Sequence, residues 1–299
     1  MKCLFLYNPN SGKRRIEKKL SYISARLSER YAQVDIAATK SAEDMEARAR
    51  EGADRYDAII FSGGDGTFNL VLQGIGERRV QLGYIPGGTT NDTARSLGIP
   101  RNIRGALNVI LEGRSEALDV MRLNGERYAV YIAAAGAFTH ATYATSPALK
   151  KKLGILAYAV EVLLHEMKLR VFPVRVNGSG SVTECDGVLL LAMNGRSVAG
   201  FRANAAGSMC DGKIELALIR QVRRPRFWQR MGAYGSIAAM MLAEGKGKNI
   251  LRFSGSHFTI ATEEDVVWDL DGEEGMRGDL TIEVLPRHMK LFVPRKKKI

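Results

Sequence analysis

Over residues 2–113 the apolar positions switch repeatedly between two spacings. KCLFLY (2–7), QVDIAAT (33–39), YDAIIFSGG (56–64) and QLGYIPGG (81–88) hold apolar residues consecutively or in alternation, and each run gives way to Asn, Pro, Gly or Thr. Such runs predict buried strands ending in turns. Between them, Ile16, Leu20, Ile23 and Leu27 recur at spacings of three and four, so residues 13–31 read as a helix. SAEDMEARAREGA (41–53) opens on a Ser-x-x-Asp capping box, and TFNLVLQGI (67–75) and RNIRGALNVILEG (101–113) complete the helical series. Strand and helix in repeated alternation predict a parallel sheet with helices on its faces.

The rhythm changes near residue 117. EALDVMRLNGERYAVYIAAAG (116–136) puts Asn124-Gly125 between two strand-like runs, a hairpin signal. Further short β runs follow at 170–180, 185–195, 213–219, 257–262, 266–275 and 280–286, separated by Gly, Asn and Asp. Two amphipathic stretches, 146–167 and 226–245, interrupt them as predicted helices. The expected architecture is an α/β N-terminal domain over 1–120, with a parallel sheet and Gly-rich loops, and a mainly antiparallel β-sandwich over 121–286.

Composition narrows the class. Hydrophobic residues at 45% and charged residues at 25% fit a globular chain with a real core. No window approaches the ~18 unbroken apolar residues of a membrane span. The N-terminus turns apolar at once and meets Pro9, which suits a first strand rather than a signal peptide. Three scattered cysteines and four scattered histidines show no disulfide or zinc spacing, so a cytoplasmic setting is expected. The net charge of +12 attracts nucleotides, nucleic acid or anionic membrane. It is spread over short clusters near the start, at 149–154, at 223–226 and at the end, each of which also reads as a solvated face.

Three turns carry the chemistry: NPNSGK (8–13), SGGDGT (62–67) and PGGTTND (86–92). Each follows a predicted strand, where open α/β sheets bind ligands. Glycines there allow backbone amides to approach a phosphate, and the helix after SGGDGT adds its N-terminal dipole. A tight structural turn explains any one of them equally well. All three at one edge of one sheet predict a nucleotide cleft.

Together the three motifs resemble the diacylglycerol kinase catalytic domain, the lipid kinase family that includes sphingosine and ceramide kinases. ALDV (117–120), CDGKIEL (210–216) and LDGE (270–273) extend the resemblance over almost the whole chain. The resemblance implies that Asn8, Asn10, Ser11, Gly12 and Thr39 lie around the ATP phosphates. Gly63, Gly64, Asp65, Gly66, Thr67 and Asn69 would form the main loop, completed by Thr89 and Asn91. It implies a water-linked network of Asp65, Asp92 and Asp119 for the Mg²⁺ that accompanies ATP, and a second metal site at Asp211 with the carbonyls of Ser208 and Lys213. The general base would be Asp271, with Glu273 as its close rival. It also implies that the final strand, about 287–299, returns to the first domain.

VAGFRAN and AAGSMCDG depart from the family's usual glycine run and proline, which puts the metal geometry at Asp211 in question. For the acceptor, apolar stripes at Leu149, Leu153, Leu156, Val160, Leu163 and Leu164, and at Phe227, Trp228, Met231, Met240, Met241 and Leu242, read as core or as a lipid-binding face. The expected activity is transfer of the γ-phosphate of ATP to a diacylglycerol-like hydroxyl, with peripheral contact to anionic membrane at its inner face. Phosphorylation of a soluble nucleotide, as by NAD kinases, is the alternative enzyme. A non-enzymatic nucleic-acid binder lacks any supporting motif. A homodimer stays open.

Overall fold

The computed structural model describes residues 1–9, 16–136, 170–178, 180–205, 207–221, 236, 247 and 249–295. Within them the chain forms two compact units, residues 1–120 with 285–299, and residues 121–284.

The first unit is built on a parallel sheet. β1 (Lys2–Tyr7), β2 (Gln33–Ala38), β3 (Ala58–Gly63) and β4 (Gln81–Pro86) lie in the order β4-β3-β1-β2. Registers such as Cys3↔Ala58 and Gly63↔Pro86 bring the C-terminal ends of β1, β3 and β4 to one edge. β3 is buried along its whole length, as its unbroken apolar run requires. The order reverses between β1 and β3, which makes the crevice beyond their C-terminal ends a topological switch point.

The helices of this unit are α1 (Leu20–Leu27), α2 (Ala42–Arg55), α3 (Asp65–Ile75), α4 (Asp92–Leu97) and α5 (Ile103–Glu112). Ser41 caps α2 by accepting from Asp44 N at 3.2 Å. The Asp44 carboxylate reaches back to Lys40 N, one residue earlier than a capping box would place it. The helix predicted over 13–31 is shorter: a 3₁₀ turn at Glu17–Lys19 leads into α1, and residues 13–15 lie outside the described set. Past Leu27 the helix tightens into turns, with Glu29 N bonding Arg26 O at 3.3 Å and Arg30 N bonding Leu27 O at 3.0 Å in place of the next i→i−4 bonds.

The second unit is antiparallel, as the short alternating runs predict. β5 (Arg114–Leu123) enters it and pairs with β6 (Arg127–Ala129) across Asn124 and Gly125, at φ 48° and 75°. That left-handed pair is what the Asn-Gly turn supplies. β7 (Ile132–Gly136), β8 (Phe172–Gly178), β9 (Ser181–Met193), β10 (Ile214–Arg220), β11 (Ile250–Gly255), β12 (His257–Ala261), β13 (Val267–Leu270) and β14 (Glu273–Arg277) follow. They run in the order β14-β13-β7-β9-β8-β12. β9 pairs with β8 along its first half and with β7 and β10 along its second. Its core holds fully buried Trp268, Phe172, Phe258, Leu190 and Leu216. β15 (Leu280–Val293) begins in this unit and ends in the first, where Lys290 and Leu291 lie beside Gln81 and Leu82 of β4 in parallel. The two predicted helices at 146–167 and 226–245 lie outside the described residues.

Candidate active site

The tips of β3 and β4 touch. Gly63 O accepts from Gly87 N at 2.7 Å, extending the ladder one step beyond the strands. A Cβ on Gly88 would stand 2.6 Å from Gly64 Cα and 2.8 Å from Asn91 Oδ1. The bare backbone therefore serves first to let SGGDGT and PGGTTND pack against each other. α3 starts at Asp65 directly behind this contact, so its first amides open at the same tip.

Asp65 is buried, and its carboxylate faces α4. Its Oδ2 accepts from Asp92 N at 2.9 Å and from Thr90 Oγ1 at 3.4 Å, and its Oδ1 accepts from Thr93 N at 3.1 Å. It thus caps the helix that the second turn begins. Asn91, held left-handed at φ 50°, clamps that turn: its Oδ1 accepts from Gly88 N at 2.8 Å and its Nδ2 donates to Gly88 O at 2.8 Å. Asp92 is buried at the first position of α4. Asp119, on β5, is buried and accepts from Arg287 N at 2.8 Å. Thr39 is buried and bonds Tyr7 O through its amide and hydroxyl, which ties the end of β2 to that of β1. Asn69 accepts from Gln73 Nε2 one turn along α3. Thr67 is half-buried, and Thr89 is exposed. Asn8 is half-buried beyond β1, while Asn10, Ser11 and Gly12 lie outside the described residues.

Three contributors escape the motif reading. Tyr84, buried within β4, donates its hydroxyl to Gly63 O at 3.1 Å. Burial raises its phenol well above the usual range, and the Asp65 charge adds to the shift. Arg101 donates to Thr89 O at 2.6 Å, and Arg95 Nε donates to Thr90 O at 3.0 Å. A polar-tipped ring inside the aliphatic strand QLGYIP was the available signal for Tyr84. The arginines offered none beyond the general basic excess.

Among the described residues no group of three His, Cys, Asp or Glu side chains gathers as a metal cage. The hard oxygen donors of Asp65, Asp92 and Asp119 suit Mg²⁺ that keeps its waters, and do not form a dehydrated pocket for it.

In the second unit, Asp271 sits at φ 55° in the turn between β13 and β14 and is buried. Its carboxylate accepts from Val130 N at 2.7 Å, Tyr131 N at 2.9 Å and Ile132 N at 3.1 Å. Glu273 opens β14 and is exposed. Asp211 accepts from Lys213 N at 3.1 Å, and the Ser208 hydroxyl accepts from Cys210 N at 3.3 Å, forming a tight turn ahead of β10. Nearby Glu215 is pushed above the usual carboxylate range by burial, although Asn204 Nδ2 donates to it at 2.7 Å. The basic runs at 149–154 and 223–226 and both apolar stripes lie outside the described residues. No helix among the described residues is long and apolar enough to cross a membrane.

A parallel sheet with glycine turns packed at its switch point and a buried carboxylate beside them is a nucleotide- or phosphate-binding candidate. The diacylglycerol kinase catalytic domain matches residues 2–123. The chain is 30% identical over 298 residues to a diacylglycerol kinase of Staphylococcus aureus strain MRSA252, covering 97% of this chain and 91% of that protein. It is equally 30% identical, over 297 residues, to the diacylglycerol kinase of the bovine strain RF122 / ET3-1. A crystal structure of a diacylglycerol kinase from Bacillus anthracis str. Sterne superposes with a TM-score of 0.80 at 26% identity, covering 98% of this chain and 96% of that one. The chain belongs to the diacylglycerol kinase family, and it is a lipid kinase.

Proposed function

We propose that this lipid kinase transfers the γ-phosphate of ATP to the hydroxyl of a diacylglycerol-like lipid, with Mg²⁺. The observation that carries the donor half is the contact of the two glycine turns at the switch point, with α3 opening behind them. Phosphoryl transfer asks a protein mainly for positioning and charge compensation. Backbone amides of Gly64, Asp65, Gly66 and Thr67 would hold phosphate oxygens, with Thr89 at the rim. Asn8, Asn10, Ser11, Gly12 and Thr39 would complete the cradle from β1 and β2, while Asn69 and Asn91 would brace it. Asp65, Asp92 and Asp119 would hold hydrated Mg²⁺, which when bound offsets the phosphate charge.

For the acceptor proton, the two carboxylates divide the work. Three amides take most of the acceptor positions of Asp271, so this residue suits fixing the loop. Glu273, exposed two residues on, suits accepting the hydroxyl proton. Asp211, with the carbonyls of Ser208 and Lys213, would hold a second, structural cation. The names of the Staphylococcus aureus and Bacillus anthracis relatives support diacylglycerol as the acceptor class. The +12 charge supports peripheral contact with anionic lipid at about 1 kcal/mol per Lys or Arg near the surface.

The test is transfer of label from γ-labelled ATP, with and without Mg²⁺, to diacylglycerol, monoacylglycerol, a sphingoid base and NAD⁺ in mixed micelles. Labelled phosphatidic acid formed only with Mg²⁺ is the expected result. Label on NAD⁺ alone would overturn the lipid acceptor.

A further inference from the structure

We infer that Tyr84 is a positioning residue that locks the two glycine turns into one phosphate cradle and so sets affinity for the donor nucleotide; this rests on the nucleotide reading above. The hydroxyl stands within reach of two acceptors, Gly63 O at 3.1 Å and Asn91 Oδ1 at 3.3 Å. Those acceptors belong to different turns. Gly63 ends β3, while Asn91 ends the turn after β4 and grips Gly88 through both its amide and its carbonyl. Gly88 fixes the orientation of the Asn91 amide, since its N–H needs the oxygen and its carbonyl the NH₂, and the single Tyr84 hydroxyl proton is then shared between Gly63 O and Asn91 Oδ1.

The ring beneath is immobilised. Tyr84 stacks on Phe61 at 5.2 Å and meets Phe68 edge-on at 5.0 Å. Phe61 and Phe68 meet each other at 88° and 5.0 Å. Phe61 precedes the first turn in β3 and Phe68 follows it in α3, so the three rings tie both sides of that turn to β4. Burial keeps the phenol protonated at any working pH, so the donor is always present. From the other side, Asp65 crosses from the first turn to the leading amides of α4. The turns are thus braced by the Gly87 N–Gly63 O backbone bond and by side chains on both sides, Asp65 toward α4 and Tyr84 from within the sheet.

Tyr84→Phe removes that brace and little else. The ring and its packing stay, Gly63 O keeps Gly87 N at 2.7 Å, and Asn91 Oδ1 keeps Gly88 N at 2.8 Å, so no buried acceptor is orphaned. Two readouts separate positioning from general stability. Amide hydrogen exchange is expected to quicken about 5–10-fold in peptides spanning 62–67 and 86–93, with the rest of the first unit unchanged. The Kd for Mg·ATP is expected to rise by about the same factor, while the KM for lipid stays within about 2-fold. Unchanged exchange at both turns would overturn the inference, as would a parallel loss of affinity for lipid and nucleotide. Wild-type protein that fails to bind Mg·ATP would sink the nucleotide reading and this inference with it. Normal wild-type binding matched by Tyr84→Phe would sink this inference alone.

Discussion

The carboxylate of Asp65 closes the N-terminus of a helix it does not belong to, accepting from the amide of Asp92 at 2.9 Å, 27 residues further along the chain. A residue whose place in the sequence suggests metal chemistry is thus also a structural cap. Loss of the whole carboxylate in Asp65→Ala is expected to cost about 1–2 kcal/mol of stability, in line with other lost caps. Asp65→Asn keeps one oxygen to accept an amide, so it should recover about half of that loss. Activity should fall at least about 10-fold in both, because neither supplies the negative charge that Mg²⁺ requires. Thermal unfolding beside the lipid kinase assay separates the two roles. Asn restoring activity along with stability would show that Asp65 is a cap and nothing more.

Gly88 lies where the two turns are closest, so it offers a direct probe of that contact. Its missing Cβ would come within 2.6 Å of backbone at Gly64, and backbone cannot swing aside as a flexible side chain can. Gly88→Ala is therefore expected to separate the turns, at a cost of about 2–4 kcal/mol and with loss of nucleotide binding. Gly125→Ala is the control for glycine loss in general, since nothing stands within 4 Å of its missing Cβ. Strain at φ 75° should make it cost about 1–2 kcal/mol, with binding intact. Calorimetric titration of Mg·ATP into both variants checks the pair.

The parallel half of the fold was legible because β1, β3 and β4 are buried nearly end to end and so run apolar, as AIIFSG does at 58–63, while the half-exposed edge strand β2 still alternates apolar with polar residues. The Asn-Gly hairpin was legible for the same kind of reason: few residues other than Asn and Gly accept two successive left-handed positions. α4 was not legible. Six residues hold too few turns to show a period, and its N-terminal cap comes from Asp65, far away in the chain. The candidate site divides along the same line. Motif spacing pointed to Gly63, Asp65 and Asn91. The direction in which each side chain bonds, and the part played by Tyr84 from inside a strand, depend on contacts 7 to 28 residues apart.

Asp271 and Glu273 are two residues apart and should fail in different ways. Replacing one oxygen of Asp271 by an amide nitrogen in Asp271→Asn sets the new NH₂ against at least the Val130 amide, with the remaining oxygen kept for Tyr131 and Ile132. The expected cost is about 2–3 kcal/mol, since a buried polar contact becomes a clash of donors. Glu273→Gln, at an exposed position, should leave stability within about 0.5 kcal/mol and lower kcat at least about 100-fold. Urea unfolding and steady-state kinetics on both variants decide the matter. Full kcat in Glu273→Gln would return the base role to Asp271.

Alkaline pH should unfold the first unit from within. Burial pushes the Cys3 thiol up to about 12 from 9.0, with the Asp35 charge adding to the shift, and burial likewise pushes the Tyr31 phenol up to about 12 from 10.0. Both groups are more basic folded than unfolded. The stability gained by holding them neutral is therefore complete below pH 9, and it drains away as pH rises from there through about 12. Each is expected to cost on the order of 3 kcal/mol at the top of that window. Tyr31 adds a second handle, because its hydroxyl is buried without a hydrogen-bond partner among the described residues. Tyr31→Phe should thus stabilise the protein by about 1 kcal/mol at pH 7 and by more at pH 11, whereas Cys3→Ala should lose packing at pH 7 yet flatten the fall above pH 9. Melting temperatures recorded from pH 7 to 12 for the three proteins test this, and curves that stay parallel across the range would show that neither group titrates with unfolding.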